Sequence, residues 1–564
     1  MFVVFEGIDG SGKTTVSNKV AKLLRQRGLG VEHLRAEGKF ASSVSEAIRN
    51  LGRDARNLDM VPQAEFLLYV ARDVQMIEEA LRPALNSKDV VIADRFLFTA
   101  DILARCGRRL SESVTRPILE VAAGGIVPDL VIFVDVDPTV ARARRKSQKI
   151  TARDEKPPSR KGLTGVGLQH RMRAGYLELA AKEPERWIVV DNERALEETV
   201  EKVTRLIELA SQQGVAAALA DARREAAQTP SVPPSGAAPR DPVERFLAWI
   251  DARSVREPNV AAWLLSGLWG AGIDERRRRL ADVVPEVLLK GSEGLTDELS
   301  WELRERFARA LPREVAKSLS GIAASEPRAE QLLRSLVGEA PSEIAATLRR
   351  CDDTAAWELR EQLVATHQDD VMASLGGVDS QRAWLWRARW LAGRERLLGQ
   401  CFETARTVSK SVTGLDDPRA WSLRAEARSA APVNVLASVV GTTSPESWAW
   451  RQQHLERATK VVMATLRQTD DPRAWLLRRA VAGDCKEALD GISGMDCQEA
   501  WELRLAHQDV WPSTVVKTLG ALSATPRGKA LMERQLQRYP SNLSLLKHVT
   551  AIHLGLSADD AAAE

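Results

Sequence analysis

The residues with the plainest chemical purpose stand at the start of the chain, where Gly7-Ile-Asp-Gly-Ser-Gly12-Lys13-Thr14-Thr15 fits the spacing GxxxxGK[ST]. Glycines at these places let backbone N–H groups converge on a polyanion without side-chain clash, at the positive end of the helix that follows. A loop of this kind holds the phosphates of a nucleoside triphosphate, here through Gly7, Asp9, Gly10, Ser11, Gly12, Lys13, Thr14 and Thr15. Lys13 is placed to reach the β- and γ-phosphates, and the Thr14 hydroxyl to ligate the Mg²⁺ that bridges them.

Three more features narrow triphosphate binding to phosphoryl transfer onto a small molecule. Glu6-Gly-Ile-Asp9 sets a carboxylate inside the loop, where it can face a second nucleotide. Val90-Val-Ile-Ala-Asp94-Arg95 ends an apolar run with an acid and an arginine; Asp94 suits Mg²⁺ held through water, and Arg95 suits an acceptor phosphate. The basic, Pro/Gly-rich stretch Thr151 to Gly167, between Ala141-Arg-Ala-Arg-Arg-Lys146 and His170-Arg171-Met-Arg173, has the composition of a closing lid. Phosphoryl transfer depends on positioning and charge stabilisation, so an arginine that closes over the triphosphate is the part such a site needs.

These groups need a scaffold that brings strand ends together. Phe2-Val-Val-Phe5, Val31-Glu-His-Leu34, Val90-Val-Ile-Ala93, Leu130-Val-Ile-Phe-Val134 and Trp187-Ile-Val-Val190 alternate with amphipathic stretches such as Val16 to Arg27. Short runs that are apolar on both faces predict a five-stranded parallel sheet covered by crossover helices, an α/β fold spanning 1–214. From 215 to 242 the composition turns to Ala, Arg, Pro, Ser and Gly, which predicts a flexible linker.

Beyond it the sequence repeats. Trp301-Glu-Leu-Arg, Trp357-Glu-Leu-Arg, Trp421-Ser-Leu-Arg, Trp475-Leu-Leu-Arg and Trp501-Glu-Leu-Arg share one pattern, introduced at Asp417 and Asp471 by Asp-Pro-Arg-Ala. Trp357 to Trp384, Trp421 to Trp448 and Trp448 to Trp475 are each 27 residues apart, and Glu330 fills the tryptophan's place midway between Trp301 and Trp357. A unit of this length holds two short helices, and such pairs bury a core only by stacking on neighbours. An all-α solenoid over 243–555 is expected, resembling HEAT-like helical repeats, with an acidic tail at 556–564. The tryptophans are expected in the core between repeats, and the arginine three residues after each on a solvated or salt-bridging face.

The N-terminal motifs together resemble the thymidylate kinase family: FEGIDGSGKTT at the start, DRF at 94–96, PDLVIFVDVDP at 128–138 and RMRAGYLELA at 171–180. The resemblance covers nearly all of 1–210. It implies a P-loop kinase fold, ATP and Mg²⁺ as cofactors, dTMP as acceptor and a homodimer. It carries the deoxyribose contact to Asp9, the acceptor phosphate to Arg95 and, counting back from Tyr176, the catalytic lid arginine to Arg160, beside Lys13. The chain departs from the family pattern on the acceptor side. The loop after the second strand is reduced to Arg35-Ala-Glu-Gly-Lys39, and Leu68-Tyr69-Val-Ala-Arg72-Asp73 stands where a phenylalanine and Asp-Arg are expected. Leu103-Ala104 replaces a Tyr-Gln pair, whereas Arg108 matches a family arginine. Tyr69 keeps the stacking face, so Asp9, Tyr69, Arg72, Arg95 and Arg108 are the expected acceptor contacts.

Three readings stay open at this point: a kinase for dTMP, a kinase for another (deoxy)nucleoside monophosphate, or a nucleotide-sensing P-loop module whose solenoid recruits a protein partner. Lys+Arg 80 against Asp+Glu 77 leaves a net charge of +3, which gives no global pull toward nucleic acid or acidic membranes. Cys106, Cys351, Cys401, Cys485 and Cys497 lack metal-site spacing. No basic, apolar leader or membrane span is read at the N-terminus, and a cytoplasmic protein is expected.

Overall fold

Five apolar runs become five parallel strands, β1 (Phe2–Glu6), β2 (Val31–His33), β3 (Val90–Asp94), β4 (Leu130–Asp135) and β5 (Trp187–Asp191), in the order β2-β3-β1-β4-β5. The computed structural model describes residues 1–35, 42–152, 167–193, 195–228 and 241–556. They fall into two compact units, one around this sheet and one around the helices from Asp241 onward. Among the described residues no helix is long and apolar enough to cross a membrane. Arg160 and most of the expected lid lie outside the described residues, as do 229–240 of the expected linker and 557–564 of the expected tail.

In the first unit the strands are joined by α1 (Lys13–Gln26), α2 (Ser43–Arg53) and α3 (Pro62–Met76), which runs through a π turn into α4 (Arg82–Leu85). The later helices are α5 (Leu97–Ile102), α6 (Glu112–Ala123), α7 (Pro138–Thr151), α8 (Gly167–Lys182), α9 (Leu196–Gln213) and α10 (Val215–Gln228). On α1, Val16, Val20 and Leu24 recur at helical spacing and are buried against Val3, Phe5 and Ile132 of the sheet. Each contributes about 1.5–3 kcal/mol by leaving water. Register then does the functional work: Phe5 lies beside Asp94 of β3 and Ile132 of β4, so β1 and β3 end within one residue of each other and β4 runs two residues past β1. In open α/β sheets ligands bind at such carboxyl ends.

Helix α10 corrects the expected linker, which was placed from residue 215. Ala218, Leu219 and Ala222 line one face of that helix and are buried in the core beside α9. Alanine has the highest helix propensity, and the nearby prolines masked that signal in the composition.

The second unit repeats a ten-residue outer helix and a shorter inner one, as in Pro418–Ala427 and Pro432–Ser438. Asp417 caps the outer helix by accepting the Arg419 N–H at 2.8 Å, and Pro418 occupies the first turn, where a missing N–H costs nothing. Inner helices pack one on the next from Pro258–Leu264 through Pro512–Lys517 and on to Leu543–His553. That last helix packs on α11 (Pro242–Arg256), which in turn packs on Pro258–Leu264, so the solenoid closes into a ring. Arg245 fastens the closure by donating to the Pro540 carbonyl at 2.9 Å.

Trp301, Trp357, Trp448, Trp475 and Trp501 are buried, as core residues should be. The arginines that follow them overturn the expectation of a solvated face. Arg304, Arg360, Arg387, Arg424, Arg451, Arg478 and Arg504 are at most 1% exposed. Arg424 shows why this is tolerable. Its Nε donates to Ser438 Oγ at 2.9 Å, Nη1 to the Leu415 carbonyl at 2.8 Å, and Nη2 to the carbonyls of Val412 at 2.7 Å and Ser438 at 3.0 Å. Val412 and Ser438 sit at the C-terminal ends of two successive inner helices, where unpaired carbonyls carry the negative end of the helix dipole. The guanidinium also lies 4.6 Å from the Trp421 ring centre. Burial pushes Arg424 down to about 10, still charged at neutral pH.

Replacing Arg424 with Ala should therefore strand several buried carbonyls and destabilise the ring by about 3–5 kcal/mol. Urea unfolding followed by tryptophan fluorescence measures this, since fourteen of the fifteen tryptophans lie after residue 241. The exposed Arg419→Ala, two residues from its cap, should leave the midpoint near that of the parent chain.

Candidate active site

Gly12 caps α1 with φ 90°, and Gly10 has φ 92°, both in the left-handed region that favours glycine. Space is restricted as well. A Cβ on Gly12 would sit 2.5 Å from the Asn192 side-chain nitrogen, and one on Gly10 would sit 2.3 Å from the Ala141 carbonyl oxygen. Asn192 donates to the Ser11 carbonyl at 2.7 Å, and Arg144 donates to the Asn192 carbonyl at 2.8 Å, so β5 and α7 brace the loop from outside. Neither residue was picked from the sequence, because their contacts are made to backbone atoms across the sheet.

Inside the loop the Lys13 ammonium lies 3.4 Å from the Ile8 carbonyl. Thr14 donates its hydroxyl to Asp94 Oδ2 at 2.6 Å, which brings the two expected Mg²⁺ residues together. Among the described residues Asp94 Oδ1 and Ser11 Oγ are buried without a hydrogen-bond partner, as atoms awaiting a cation and a phosphate would be. Burial pushes the Asp94 carboxyl up, but Lys13, Arg35 and Arg95 outweigh it and hold the group below the usual carboxylate range. Among the described residues no cluster of three or more His, Cys, Asp or Glu could hold a metal alone. A hard cation at Thr14 and Asp94 would thus complete its shell with phosphate and water oxygens, the usual habit of Mg²⁺.

On the other side of the loop, Arg95 follows β3 with φ 81° and donates to Asp9 Oδ1 at 2.5 Å and to Thr99 Oγ1 at 3.0 Å. Glu6 is fully buried 3.7 Å from Arg95. It accepts from the Phe96 N–H at 3.1 Å, from Thr99 Oγ1 at 2.8 Å and from the Tyr176 hydroxyl at 2.9 Å. Burial raises the Glu6 carboxyl, opposed first by Arg95. This network fixes the turn that carries Arg95, and sequence reading missed Glu6 because a strand-end glutamate has no distinguishing spacing. The Asp9 backbone N–H donates to Gln169 at 3.1 Å, tying the loop to α8.

The remaining predicted residues lie on α3 and beyond. Arg72 is buried, its guanidinium 4.8 Å from the centre of the Tyr69 ring and its Nε donating to Asp73 Oδ1 at 2.7 Å. The reversed order of acid and arginine therefore still delivers a guanidinium to the stacking tyrosine. Arg108 does not stand alone at the site: it forms a two-pronged pair with the buried Glu65 at 2.7 and 3.2 Å. Two arginines join the acceptor side that were not on the predicted set. Arg35, 3.5 Å from Asp94, is pushed down to about 10 by burial. Arg53, on the exposed side of α2, is lowered by partial desolvation and by Arg49, and feels the charges of Asp9 and Arg95. The spacing of Arg49 and Arg53, one helical turn apart on α2, was the available signal.

A triphosphate cradle and a second cationic basin thus meet at the ends of β1 and β3. The thymidylate kinase family model matches residues 5–203. The thymidylate kinase of Nitratidesulfovibrio vulgaris (strain DSM 19637 / Miyazaki F) is 34% identical over 207 residues, which are 37% of this chain and 95% of that protein. The chain belongs to the thymidylate kinase family. A second member, from Finegoldia magna, is 38% identical over 183 residues, 32% of this chain and 86% of its own length. A solved thymidylate kinase from Ehrlichia chaffeensis is 24% identical, covering 37% of this chain and 98% of its own, with a TM-score of 0.29. Family membership rests on the first unit, and the residues after 203 lie outside the family match.

The loop geometry makes a sharp prediction. Gly12→Ala, forced into φ 90° and against Asn192, should weaken ATP binding by at least about tenfold, or 1.4 kcal/mol. Calorimetric titration measures it, with unchanged circular dichroism as the sign that the sheet is intact.

Proposed function

We propose that this chain transfers the γ-phosphoryl group of ATP to dTMP, giving dTDP and ADP. The observation that carries the reading is the pairing of Thr14 with Asp94 and of Asp9 with Arg95 on opposite sides of one loop, at 2.6 and 2.5 Å. One pair suits the Mg²⁺ and phosphates of a donor, the other an acceptor nucleotide. Membership of the thymidylate kinase family supports dTMP as that acceptor.

In this reading the loop amides and Lys13 hold the β- and γ-phosphates, and Thr14 and Asp94 would hold a Mg²⁺ that, when bound, would offset their charge. Arg95 binds the acceptor phosphate, kept in place by Glu6 and Asp9, while Asp9 also faces the deoxyribose. Tyr69 stacks on the base, and Arg72, fixed by Asp73, donates to its edge. An acceptor phosphate oxygen forms the new bond to the γ-phosphorus as the bond to the bridging oxygen of ADP breaks. No covalent enzyme intermediate is needed, because the two phosphates are brought into line. Arg160 is our proposed source of further charge on the transferring group. The catalytic unit extends to the end of α10, and the ring is a separate module joined to it through 229–240.

Coupled release of ADP with ATP, Mg²⁺ and a panel of nucleoside monophosphates tests the proposal. Turnover should be highest with dTMP, and Lys13→Ala should lower kcat by about 10²–10³-fold, the scale for losing one donor to a developing charge. Arg72→Ala should raise the dTMP KM about tenfold or more, as loss of a charged hydrogen bond does, with the ATP KM unchanged. Absence of acceptor-dependent ADP release while ATP still binds would overturn the reading.

A further inference from the structure

One joint of the ring is unlike the rest. Trp384 and Trp421, which hold equivalent places in successive units, are 37 residues apart instead of 27. The extra chain follows the helix Gln381–Leu391 and includes Arg394 and a short 3₁₀ turn, Glu395–Leu397. Beside it lies a cavity of about 230 Å³, bounded by the end of this helix and the preceding inner helix.

The floor of the cavity is apolar, built by Val371, Met372 and Leu375, and two tryptophans, Trp386 and Trp390, form its walls. Both rings are fixed in advance. Trp390 Nε1 donates to Asp369 at 2.8 Å, and Trp386 packs edge-on to Trp357 at 5.4 Å between ring centres. Arg394 lies 4.8 Å from the centre of the Trp390 ring and donates one N–H to the Trp390 carbonyl at 2.5 Å, which leaves donors for a ligand. Arg389, exposed on the cavity wall, has no ion pair or hydrogen bond among the described residues. The buried arginines of the ring turn most of their N–H groups to helix-end carbonyls, whereas here partly or fully exposed guanidinium groups border an aromatic pocket.

An apolar cavity of about 150 Å³ accepts benzene. This one has room for a larger aromatic group, and its arginines call for anionic neighbours. Leu385, on the helix that bears Trp386, and Leu397, on the turn that follows Arg394, are 53% and 44% exposed, so the same two elements carry further apolar surface. We propose that this pocket is the anchor point for a protein partner, taking one aromatic side chain of a segment flanked by carboxylates. A preformed aromatic pocket with a charged rim is the usual form of a binding hot spot.

The test is selection of a displayed random 12-residue peptide library on the full-length chain, repeated on Arg389→Glu and on Met372→Trp, which fills the cavity. Enriched sequences should carry an aromatic residue within two places of Asp or Glu. Synthetic peptides of that sequence should lose at least tenfold in affinity on Arg389→Glu, a surface change that leaves the core alone. No enrichment, enrichment of basic or non-aromatic sequences, or equal binding to Arg389→Glu would overturn the proposal. Competition by dTMP or ATP would also overturn it, since the pocket would then be a nucleotide site. Thermal melting of each variant separates loss of binding from loss of fold.

Discussion

A guanidinium taken out of water needs negative partners for most of its N–H groups, and both units of this chain are arranged to supply them. In the ring the partners are carbonyls at the ends of short helices. Nη2 of Arg424 reaches Val412 on one inner helix and Ser438 on the next, so a single side chain ties two units together. The same geometry recurs at Arg451, whose Nη2 donates to the Val439 carbonyl at 2.7 Å and whose Nε donates to Thr465 at 2.9 Å. Short helices serve here because their carbonyl ends lie close to the core, and tryptophan covers the remaining face of the charge. Arg473 of the following unit caps the Trp448 ring from outside, 4.5 Å from its centre.

In the catalytic unit the partners are carboxylates, and the difference matters for function. A buried arginine bound to helix-end carbonyls, such as Arg424, acts as a fastener within the fold. Arg95 is held by Asp9 and Thr99 with Glu6 behind them, which fixes its side chain at the end of β3, the position our proposal assigns to the acceptor phosphate. Glu6 and Tyr176 stiffen the turn from beneath, while the left-handed backbone at Arg95 turns its side chain toward the loop. The strain of that conformation, of order 1–3 kcal/mol, is borne by a network buried on all sides.

The parts of this molecule that were legible in the sequence are those whose partners are adjacent along the chain or fixed by a period. The phosphate loop needs glycine where φ is positive, so its letters declare it. Tryptophans at a 27-residue period declare a core between repeats. Arg424 was misread because a charged residue beside a helix suggests solvent, and its actual partners, backbone carbonyls, have no letter of their own. Arg35 and Arg53 were missed for a related reason: their place beside Asp94 and Asp9 depends on strand pairing and on the packing of α2. The swapped acid and arginine at 72 and 73 depart from the family pattern, yet the Arg72 guanidinium lies over the Tyr69 ring, because the contact depends on where a side chain ends and not on the rung from which it starts.

The closure of the ring through α11 and Leu543–His553 has an evolutionary consequence. An open stack of helical pairs grows or shrinks freely, since a duplicated or deleted unit only moves one end. In a closed circuit the turn per unit and the number of units are locked together, and a change in one must be shared as bending at every joint. Unit duplication, the ordinary way such arrays diversify, is therefore closed to this one. Novelty has to enter as longer connections between existing helices, and the ten extra residues after Trp384 are an insertion of that kind.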